Sequence, residues 1–412
     1  MADTVKEKYK LDDRSLSLCM TISLGVLQNI TLCDWYIDFF SRSASKIEPK
    51  VRDILRCAVY QLLFMDKIPA SAAVNEAVLL CKKLGYARVS GFCNAILRKL
   101  AACCPDDLPD IPGEGSAEYL SIKFSHPQWL AETIVQRRGY EAAKAFFAAN
   151  NTAPETCLQV NTLKTTVSKL LTLLKSAGID CRQHEWLPDC IVASGSITAM
   201  PGFDDGLFYV QDPAAKCAVL AAKLEPGMSV LDACAAPGGK SFAAAIAMQG
   251  VGHIDSCDLH EKKIHLIKSG ADRLGIRCIN AFAKDAKQPA GKMYDAIIAD
   301  VPCSGYGVIR KKPEIRYKDR SEKDTLPAVQ TEIIESLASS VKVGGVLIYS
   351  TCTVLKEENE DIVSSFLKLH PEFRAESFSA ANGECATSGY ITFWPDIHGT
   401  DGFFICKLRR VE

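Results

Sequence analysis

The sequence lacks a long uncharged apolar run, and no stretch approaches the ~20 residues that a transmembrane helix needs. An excess of either charge is also missing, because 48 basic and 49 acidic side chains give a formal net charge of −1. This balance excludes a globally basic nucleic-acid-binding protein, so any nucleic-acid contact has to come from a local patch. No apolar stretch follows the charged first residues, and we expect neither a signal peptide nor a membrane partner.

The usual cysteine spacing of a zinc site is also absent. None of the 18 cysteines forms a CxxC pair, and the neighbours Cys103 and Cys104 have no histidine nearby, so we predict no metal. The length of the chain and the irregular spacing exclude a disulfide framework. We therefore expect reduced thiols, a cytoplasmic protein, and cysteines that mostly serve as small buried hydrophobic residues.

The 412 residues that are present predict two to four domains. Residues 1–103 carry apolar side chains at helical spacing and predict an all-α bundle, whose last helix is amphipathic and basic. Residues 104–117 are rich in proline, glycine and acidic side chains and predict a linker. Residues 118–203 mix helices with short strands and predict a small α/β region.

Residues 204–412 alternate apolar strands with helices, which predicts a parallel sheet covered on both faces. Four of the strands end at polar or thiol side chains, namely Asp232, Asp258, Asp300 and Cys352. Ligands of such sheets bind outside the carboxyl ends of the strands. The sequence therefore places the chemistry of this protein at that edge.

The loop from Cys234 to Lys240, after the first strand, is rich in small residues and predicts a close approach to a ligand. Its end, Gly239-Lys240-Ser241, matches a P-loop, but Cys234 stands where that motif needs a glycine. A Rossmann-type loop for a nucleoside cofactor fits better. Asp258 then suits a pair of ribose hydroxyls and Asp285 an adenine edge, although a single Asp is more commonly a helix cap or turn residue.

Two cysteines follow neighbouring strands, in Asp300-Val-Pro-Cys303 and Thr351-Cys352. Thiols presented beside a nucleoside cofactor indicate nucleophilic chemistry, and the alternative is a redox or disulfide pair. The loop 308–318 carries five basic side chains and Tyr317. It is either a binding loop for phosphates and a base or a mobile surface loop.

These segments resemble the successive motifs of bacterial RNA cytosine-C5 methyltransferases, in the NOL1/NOP2/Sun family. The resemblance is carried by DACAAPGGKS, DLHEKK, AKDA, DVPCSGYGVIRKKPEIRY and YSTCTVLKEENEDIV. It is closest to the 16S ribosomal RNA enzymes of the RsmB/Sun type. FSHPQWL, LQVNTLK, PGFDDGLFYVQDPAA and GTDGFF extend it over nearly the whole chain.

The resemblance implies three folded parts, each with a partner or cofactor. Residues 1–103 are expected to form a NusB-like helical RNA-binding domain, shortened at its start. Residues 118–203 are expected to form a ferredoxin-like or RRM-like α/β insert that binds RNA, and residues 204–412 a Rossmann-like class I methyltransferase domain. The cofactor would be S-adenosylmethionine and the partner 16S ribosomal RNA, with the protein a monomer.

The resemblance also implies roles for single residues. Cys352 would be the nucleophile that adds to C6 of cytosine, and Cys303 would assist release of the product. Asp300 would hold the cytosine edge and Lys240 would close the cofactor loop. The residues expected to bind S-adenosylmethionine are Cys234, Ala235, Ala236, Pro237, Gly238, Gly239, Lys240, Asp258, Asp285 and Asp300. From the chemistry alone, Cys303 and Cys352 remain equal candidates for the nucleophile.

Two further functions fit the same sequence. One is a transfer RNA cytosine-C5 methyltransferase of the same fold. The other is a non-catalytic RNA-binding regulator of transcription antitermination, built on the NusB-like domain. A binding module has no need of both Cys303 and Cys352, which favours an enzyme, and the NusB-like domain favours ribosomal RNA by analogy.

Overall fold

The computed structural model describes residues 2–41, 44–103, 107–318 and 320–412. They divide into two compact units, Met1–Thr152 and Ala153–Glu412. Residues 104–106 of the predicted linker lie outside the described residues. Residues 118–152, which the sequence grouped with the α/β region, cluster with the helices of the first unit instead.

The described residues of the first unit are all-α, as predicted for residues 1–103. Its helices are α1 (Ala2–Tyr9), α2 (Asp13–Gln28), α3 (Ile30–Phe40), α4 (Pro49–Phe64), α5 (Ala70–Lys83), α6 (Ser90–Ala102), α7 (Ala117–Lys123), α8 (Gln128–Arg138) and α9 (Tyr140–Ala149). The apolar stripes of α3, α4 and α6 meet in one core around Cys33, Leu55 and Leu97, which are fully buried. A helical period thus places these side chains on one face.

No single helix among the described residues is long and apolar enough to cross a membrane. Helices α2 and α3 pass that test only as a pair, and the pair is bent by 78°.

The second unit begins with a small antiparallel sheet. Its strands are β1 (Thr156–Val160), β2 (Cys181–Gln183), β3 (Cys190–Ala193) and β4 (Phe208–Val210), in the order β2-β3-β1-β4. Helix α10 (Val167–Ser176) buries Leu170 and Leu174 against Leu158 and Phe208 of the sheet. The strands β2 and β4 were not predicted, because three residues are too few to show a period.

The rest of the second unit is one large sheet with helices on both faces. Its strands are β5 (Ser229–Asp232), β6 (His253–Asp258), β7 (Ile279–Ala283), β8 (Tyr294–Asp300), β9 (Val341–Thr351), β10 (Phe373–Ala375), β13 (Tyr390–Phe393) and β14 (Phe403–Arg410), and β11 (Phe378–Ser379) pairs with β12 (Cys385–Ala386) outside it. The helices are α11 (Pro213–Ala221), α12 (Gly239–Ala247), α13 (Glu261–Leu274), α14 (Arg320–Ala338), α15 (Glu360–Leu369) and α16 (Pro395–His398). The strand order is β10-β14-β9-β8-β5-β6-β7, and β13 pairs with β14.

Successive residues of the central strands point to opposite faces of this sheet. Val230 and Ile298 lie in the core that contains the buried residues of α11, α12 and α13. Leu231 and Ile297 lie in the core that contains those of α14 and α15. This alternation explains why the strands read as continuous apolar runs in the sequence.

The prediction of an all-parallel sheet is wrong for the last strand. β14 runs antiparallel to β9, and β10 and β13 are antiparallel to β14. The connection 394–402 between β13 and β14 is shorter than the dozen or so residues that a parallel crossover needs. The chain therefore turns back as a hairpin, while β5 to β9 stay parallel.

Asn161 joins the small sheet to the large domain within the second unit. Its side-chain amide donates to the carbonyl oxygens of Gly206 and Leu274, each at 2.9 Å. Gly206 has a positive φ of 67°, and a Cβ there would lie 1.9 Å from the backbone oxygen of Arg273. A side chain at this position would push the small sheet away from α13.

We predict that Gly206→Ala lowers the free energy of unfolding by about 2–4 kcal/mol, since it adds overpacking to an unfavourable φ. The matched control is Gly178→Ala, at φ 75° with open space around it, which should cost only about 1–2 kcal/mol. Urea denaturation of both variants measures the difference. Equal losses would contradict the tight contact at Gly206.

Candidate active site

The loop between β5 and α12 contains a turn that requires glycine. Gly238 has φ 113°, and a Cβ at this position would lie 2.5 Å from the ring of Phe242. Only glycine meets both constraints, so the chain can turn sharply into α12 at Gly239. The sequence predicted this loop correctly, as small residues leading from a strand into a helix.

A buried carboxyl group supports this loop from below. Asp232, at the end of β5, is fully buried and accepts a hydrogen bond of 2.6 Å from the hydroxyl of Ser241. Ser256 donates in turn to that hydroxyl at 2.7 Å. Burial raises the pKa of Asp232 to about 6. The position of Asp232 makes it a support for the start of α12.

A cleft of about 260 Å³ opens at the carboxyl ends of the strands. Five of the predicted cofactor-binding residues line it, namely Cys234, Ala236, Asp258, Asp285 and Asp300. The other five, Ala235, Pro237, Gly238, Gly239 and Lys240, are not among its lining residues and shape the loop behind it. Burial raises the pKa of the Cys234 thiol, so this cysteine lines the cleft as a neutral group.

Asp258 and Asp285 both face the cleft and both also hold local turns. One oxygen of Asp258 accepts from the backbone N–H of His260 at 3.0 Å and lies 3.6 Å from Nζ of Lys263. One oxygen of Asp285 accepts from the backbone N–H of Lys287 at 2.9 Å. In each case the second oxygen receives no hydrogen bond from any residue that the structure describes. The turn role and a ligand role are therefore compatible.

An ion pair joins the cofactor loop to the end of β8. Nζ of Lys240 lies 2.6 Å from Oδ2 of Asp300, and the lysine is 8% exposed. Ser350 donates to the other carboxylate oxygen at 3.0 Å, and Nζ of Lys240 lies 5.0 Å from the ring centre of Phe403. Asp300 keeps partial exposure toward the cleft. A carboxylate fixed in this way can accept a hydrogen bond from a ligand without moving.

The two predicted cysteines meet. The sulfur atoms of Cys303 and Cys352 lie 3.2 Å apart, and both cysteines are free thiols. The hydrogen bond with Cys352, together with burial, raises the pKa of the Cys303 thiol well above its usual value. Contact with Cys352 and burial therefore both disfavour ionisation of the Cys303 thiol.

Two glycines allow this meeting. Gly307 donates from its backbone N–H to the carbonyl oxygen of Cys352 at 2.9 Å, and Gly402 donates to the carbonyl oxygen of Gly307 at 2.8 Å. A Cβ at Gly307 would lie 1.9 Å from the oxygen of Gly402. Both glycines lie in segments that resemble family motifs, but the sequence predicted a role for neither glycine.

A buried carboxylate that the sequence did not predict lies beneath the cysteines. Glu358 is fully buried and accepts hydrogen bonds from Ser304 and Gln330. In the sequence it stands within KEENE, a run that is typical of a solvated surface. The only signal that could have found it is its position six residues after Cys352.

Several basic side chains of the loop 308–318 contact other parts of the protein, which the hypothesis of a binding loop did not predict. Nζ of Lys311 lies 2.9 Å from a carboxylate oxygen of Asp212 and 2.7 Å from one of Asp401. Arg310 donates to the carbonyl oxygen of Gly399 at 2.9 Å, and Arg316 is 2% exposed. Burial lowers the pKa of Arg316 to about 10. The exposed basic residues of the loop are Lys311, Lys312 and Lys318.

The chemistry of the lining residues, not cavity size, identifies the site. A larger cavity of about 940 Å³ lies in the first unit, beside Ile47, Tyr86 and Phe92, and holds none of the predicted site residues. In the part of the chain that the structure describes, no group of three or more His, Cys, Asp or Glu side chains is placed to hold a metal ion.

Three family models match successive parts of this chain. They describe the NusB family over residues 1–102, an RsmF/B-like ferredoxin-like domain over residues 126–198, and the 16S rRNA methyltransferase RsmB/F over residues 219–409. The probable ribosomal RNA small subunit methyltransferase B of Bacillus subtilis is 33% identical over 99% of this chain and 93% of that protein. The ribosomal RNA small subunit methyltransferase B of Pseudomonas syringae pv. tomato is 33% identical over 99% and 92%.

The chain belongs to the ribosomal RNA small subunit methyltransferase B family. As a member of this family it is an RNA methyltransferase, and the predicted enzyme class is confirmed. The methyltransferase match over residues 219–409 includes the loop at Cys234 and disfavours the P-loop alternative. Membership also confirms the predicted NusB-like, ferredoxin-like and Rossmann-like parts.

Solved structures agree with this membership in the methyltransferase B family. The crystal structure of PH0851 matches with a TM-score of 0.81 and 27% identity, over 99% of this chain and 93% of that chain. A methyltransferase homolog protein from Pyrococcus horikoshii matches with a TM-score of 0.61 and 26% identity, over 71% and 97%.

We predict that Gly307→Ala lowers kcat for methyl transfer about 10²-fold, because the added methyl group overlaps the backbone oxygens of Gly402 and Cys352 and misplaces the Cys352 thiol. Binding of the methyl donor should change less than about twofold, since Gly307 does not line the cleft. The control is Gly91→Ala, which enters open space. An active Gly307→Ala enzyme would show that the spacing of the two loops is not critical.

Proposed function

We propose that this protein methylates C5 of a cytosine in 16S ribosomal RNA, with S-adenosylmethionine as the methyl donor and a covalent adduct between Cys352 and C6 of the base. We also propose that it works in the cytoplasm as a monomer. The observation that carries the proposal is the 3.2 Å contact between Cys303 and Cys352, next to Asp300 at the edge of the cleft.

The cleft fits a nucleoside with a charged tail. Asp258 and Asp285 offer carboxylate oxygens at the ends of successive strands, which suits ribose hydroxyls and an adenine amino group. The small side chains of Cys234 and Ala236 leave room along the loop. S-adenosylmethionine bound there would supply the methyl group.

Cys352 supplies the activation that cytosine needs. C5 of cytosine is a poor nucleophile, and addition of the Cys352 sulfur to C6 gives it the character of an enamine carbon. The base has to leave any stack before the sulfur can reach C6. Cys352 is partly exposed at the end of β9, whereas Cys217, Cys257 and Cys406 are buried.

Cys303 is suited to the release step. Its raised pKa depends first on the hydrogen bond with Cys352, and that hydrogen bond is lost when the Cys352 sulfur is bonded to C6. Cys303 then ionises more readily and can take the proton from C5, which passes on to solvent. The electron pair of the C5–H bond restores the C5–C6 double bond. The C6–S bond breaks, and its electron pair returns to Cys352.

Asp300 and Lys240 hold the base in place. The carboxylate of Asp300 faces the cleft, and the ion pair with Lys240 and the hydrogen bond from Ser350 fix it. It can accept a hydrogen bond from the exocyclic amine of cytosine, which distinguishes cytosine from uracil. Lys240 holds that carboxylate in place, with Nζ 2.6 Å from Oδ2 of Asp300.

The ribosomal substrate is supported by the names of the relatives and by the NusB family match at residues 1–102. A transfer RNA substrate remains the second candidate, since the thiol pair and the cleft would serve either RNA. A non-catalytic antitermination role is disfavoured, because a binding module needs neither a cofactor cleft nor two thiols in contact.

The cofactor assignment predicts that Asp258→Asn weakens binding of S-adenosylmethionine about tenfold, because an amide accepts fewer hydrogen bonds from the ribose hydroxyls. Isothermal titration calorimetry measures the dissociation constant. Asp272→Asn, at an exposed position of α13, is the control and should bind like the wild type. Equal affinity in all three proteins would contradict the role of Asp258.

The cysteine assignment predicts opposite results for the two thiols. Cys352→Ala should abolish methyl transfer and leave S-adenosylmethionine binding within about twofold, because this thiol is absent from the lining of the cleft. Cys303→Ala should slow release and accumulate a covalent protein–RNA adduct, which a denaturing gel detects. The exposed Cys385→Ala is the control for loss of a cysteine.

An adduct in the Cys352→Ala protein would reverse the two roles. Methyl transfer by Cys352→Ala at the wild-type rate would refute covalent catalysis by this residue.

A further inference from the structure

Glu358 is a buried carboxylate that the proposed reaction does not use. It lies in the 3₁₀ turn Lys356–Glu358, between β9 and α15, and is fully buried. Among the described side chains, no lysine, arginine or histidine forms an ion pair with it. A buried charge without a cation is costly unless hydrogen bonds satisfy it, so its partners indicate what it does.

The partners of Glu358 lie on both sides of Cys303. The backbone N–H of Ser304 donates to Oε2 at 2.9 Å, and the hydroxyl of Ser304 donates to Oε1 at 2.5 Å. The amide of Gln330 donates to Oε2 at 2.9 Å and also to the carbonyl oxygen of Pro302 at 2.9 Å. The carboxylate of Glu358 is thus bonded directly to Ser304, the residue after Cys303, and through Gln330 to Pro302, the residue before it.

The same group reaches the loop of Cys352. The hydroxyl of Ser304 lies 2.9 Å from the hydroxyl of Thr353, the residue after Cys352. The hydroxyl of Tyr349 in β9 donates to the backbone oxygen of Glu358 at 2.6 Å, which fixes the turn to the strand. One carboxylate thus links the two cysteine loops from below.

We infer that Glu358 is a positioning residue, which holds Cys303 against Cys352 and so allows the release step. This inference rests on the proposed function, because it assigns Glu358 to the same pair of thiols. Glu358 touches neither sulfur and acts through Ser304 and Gln330. A charged acceptor suits this task, since a carboxylate accepts several hydrogen bonds at once and binds them strongly.

The decisive variant is Glu358→Gln, which keeps the size of the side chain. The amide group turns one acceptor oxygen into a donor that faces the N–H or the hydroxyl of Ser304. We expect kcat to fall about 10²-fold, as for a thiol displaced by about 1 Å. The dissociation constant for S-adenosylmethionine should stay within about twofold, because Glu358 does not line the cleft. Asp361→Asn, an exposed carboxylate three residues on, is the matched control and should behave as the wild type.

The covalent adduct separates positioning from simple stability. If Glu358 holds Cys303 for release, Glu358→Gln should accumulate the protein–RNA adduct, as Cys303→Ala does. Partial unfolding would lower product and adduct together. The double variant Cys303→Ala/Glu358→Gln should be no slower than Cys303→Ala alone, because both changes remove the same step.

Ser304→Ala provides a second test that keeps the buried carboxylate and removes one of its donors. It should lower kcat about tenfold, with a smaller accumulation of adduct. Thermal melting of each variant shows whether it is folded. If Glu358→Gln does not fold, the kcat and the adduct level of Ser304→Ala show whether Glu358 positions Cys303.

Two outcomes would overturn the inference. One is a folded Glu358→Gln or Ser304→Ala protein with wild-type turnover. The other is slow turnover of Glu358→Gln without accumulation of adduct, together with a double variant whose loss of kcat is the product of the losses of the two single variants. Failure of the proposed function is distinguishable, because Cys303→Ala itself would then accumulate no adduct.

Discussion

The parallel register of β8 and β9 pairs Asp300 with Ser350, and the rest of the site depends on this pairing. Cys303 follows the last residue of β8 by three residues, and Cys352 follows the last residue of β9 by one, so a common strand end brings their sulfurs within 3.2 Å. A slip of one residue would turn the side chains of one strand to the opposite face. The hydrogen bond from Ser350 to Asp300 is lost in any such slip.

Several independent contacts hold this register at its end. Gly307 and Gly402 allow three backbone segments to approach closely, and Lys240 ties the cofactor loop to Asp300. Beneath the thiols, Ser304 shares the carboxylate of Glu358 with Gln330. The site is thus rigid on the protein side and open on the side of the cleft, as preorganised catalysis requires.

The remaining cysteines show why a function cannot be inferred from the number of cysteines alone. Burial raises the pKa of Cys33, Cys217 and Cys257 to about 12, and these thiols pack as hydrophobic groups. None of the cysteines that the structure describes forms a disulfide. Cys303 and Cys352 differ from these buried cysteines because they lie in contact at the strand ends, next to Asp300.

The sequence predicted the parallel core and the meeting of Asp300 with both cysteines, because the carboxyl ends of parallel strands share one edge. It could not predict the partners of the basic loop, since Lys311 meets Asp212 and Asp401, which are 99 and 90 residues away. It also missed Glu358, because local pattern does not distinguish a buried carboxylate from a surface one. The antiparallel β14 was missed because strand period carries no direction.

The most direct test of this account is methyl transfer from labelled S-adenosylmethionine to unmodified 16S ribosomal RNA, with the modified nucleoside identified by mass spectrometry. The account predicts that the wild type produces 5-methylcytosine and that Cys352→Ala produces none while it still binds the methyl donor. A different methylated nucleoside, or 5-methylcytosine from both proteins, would contradict it.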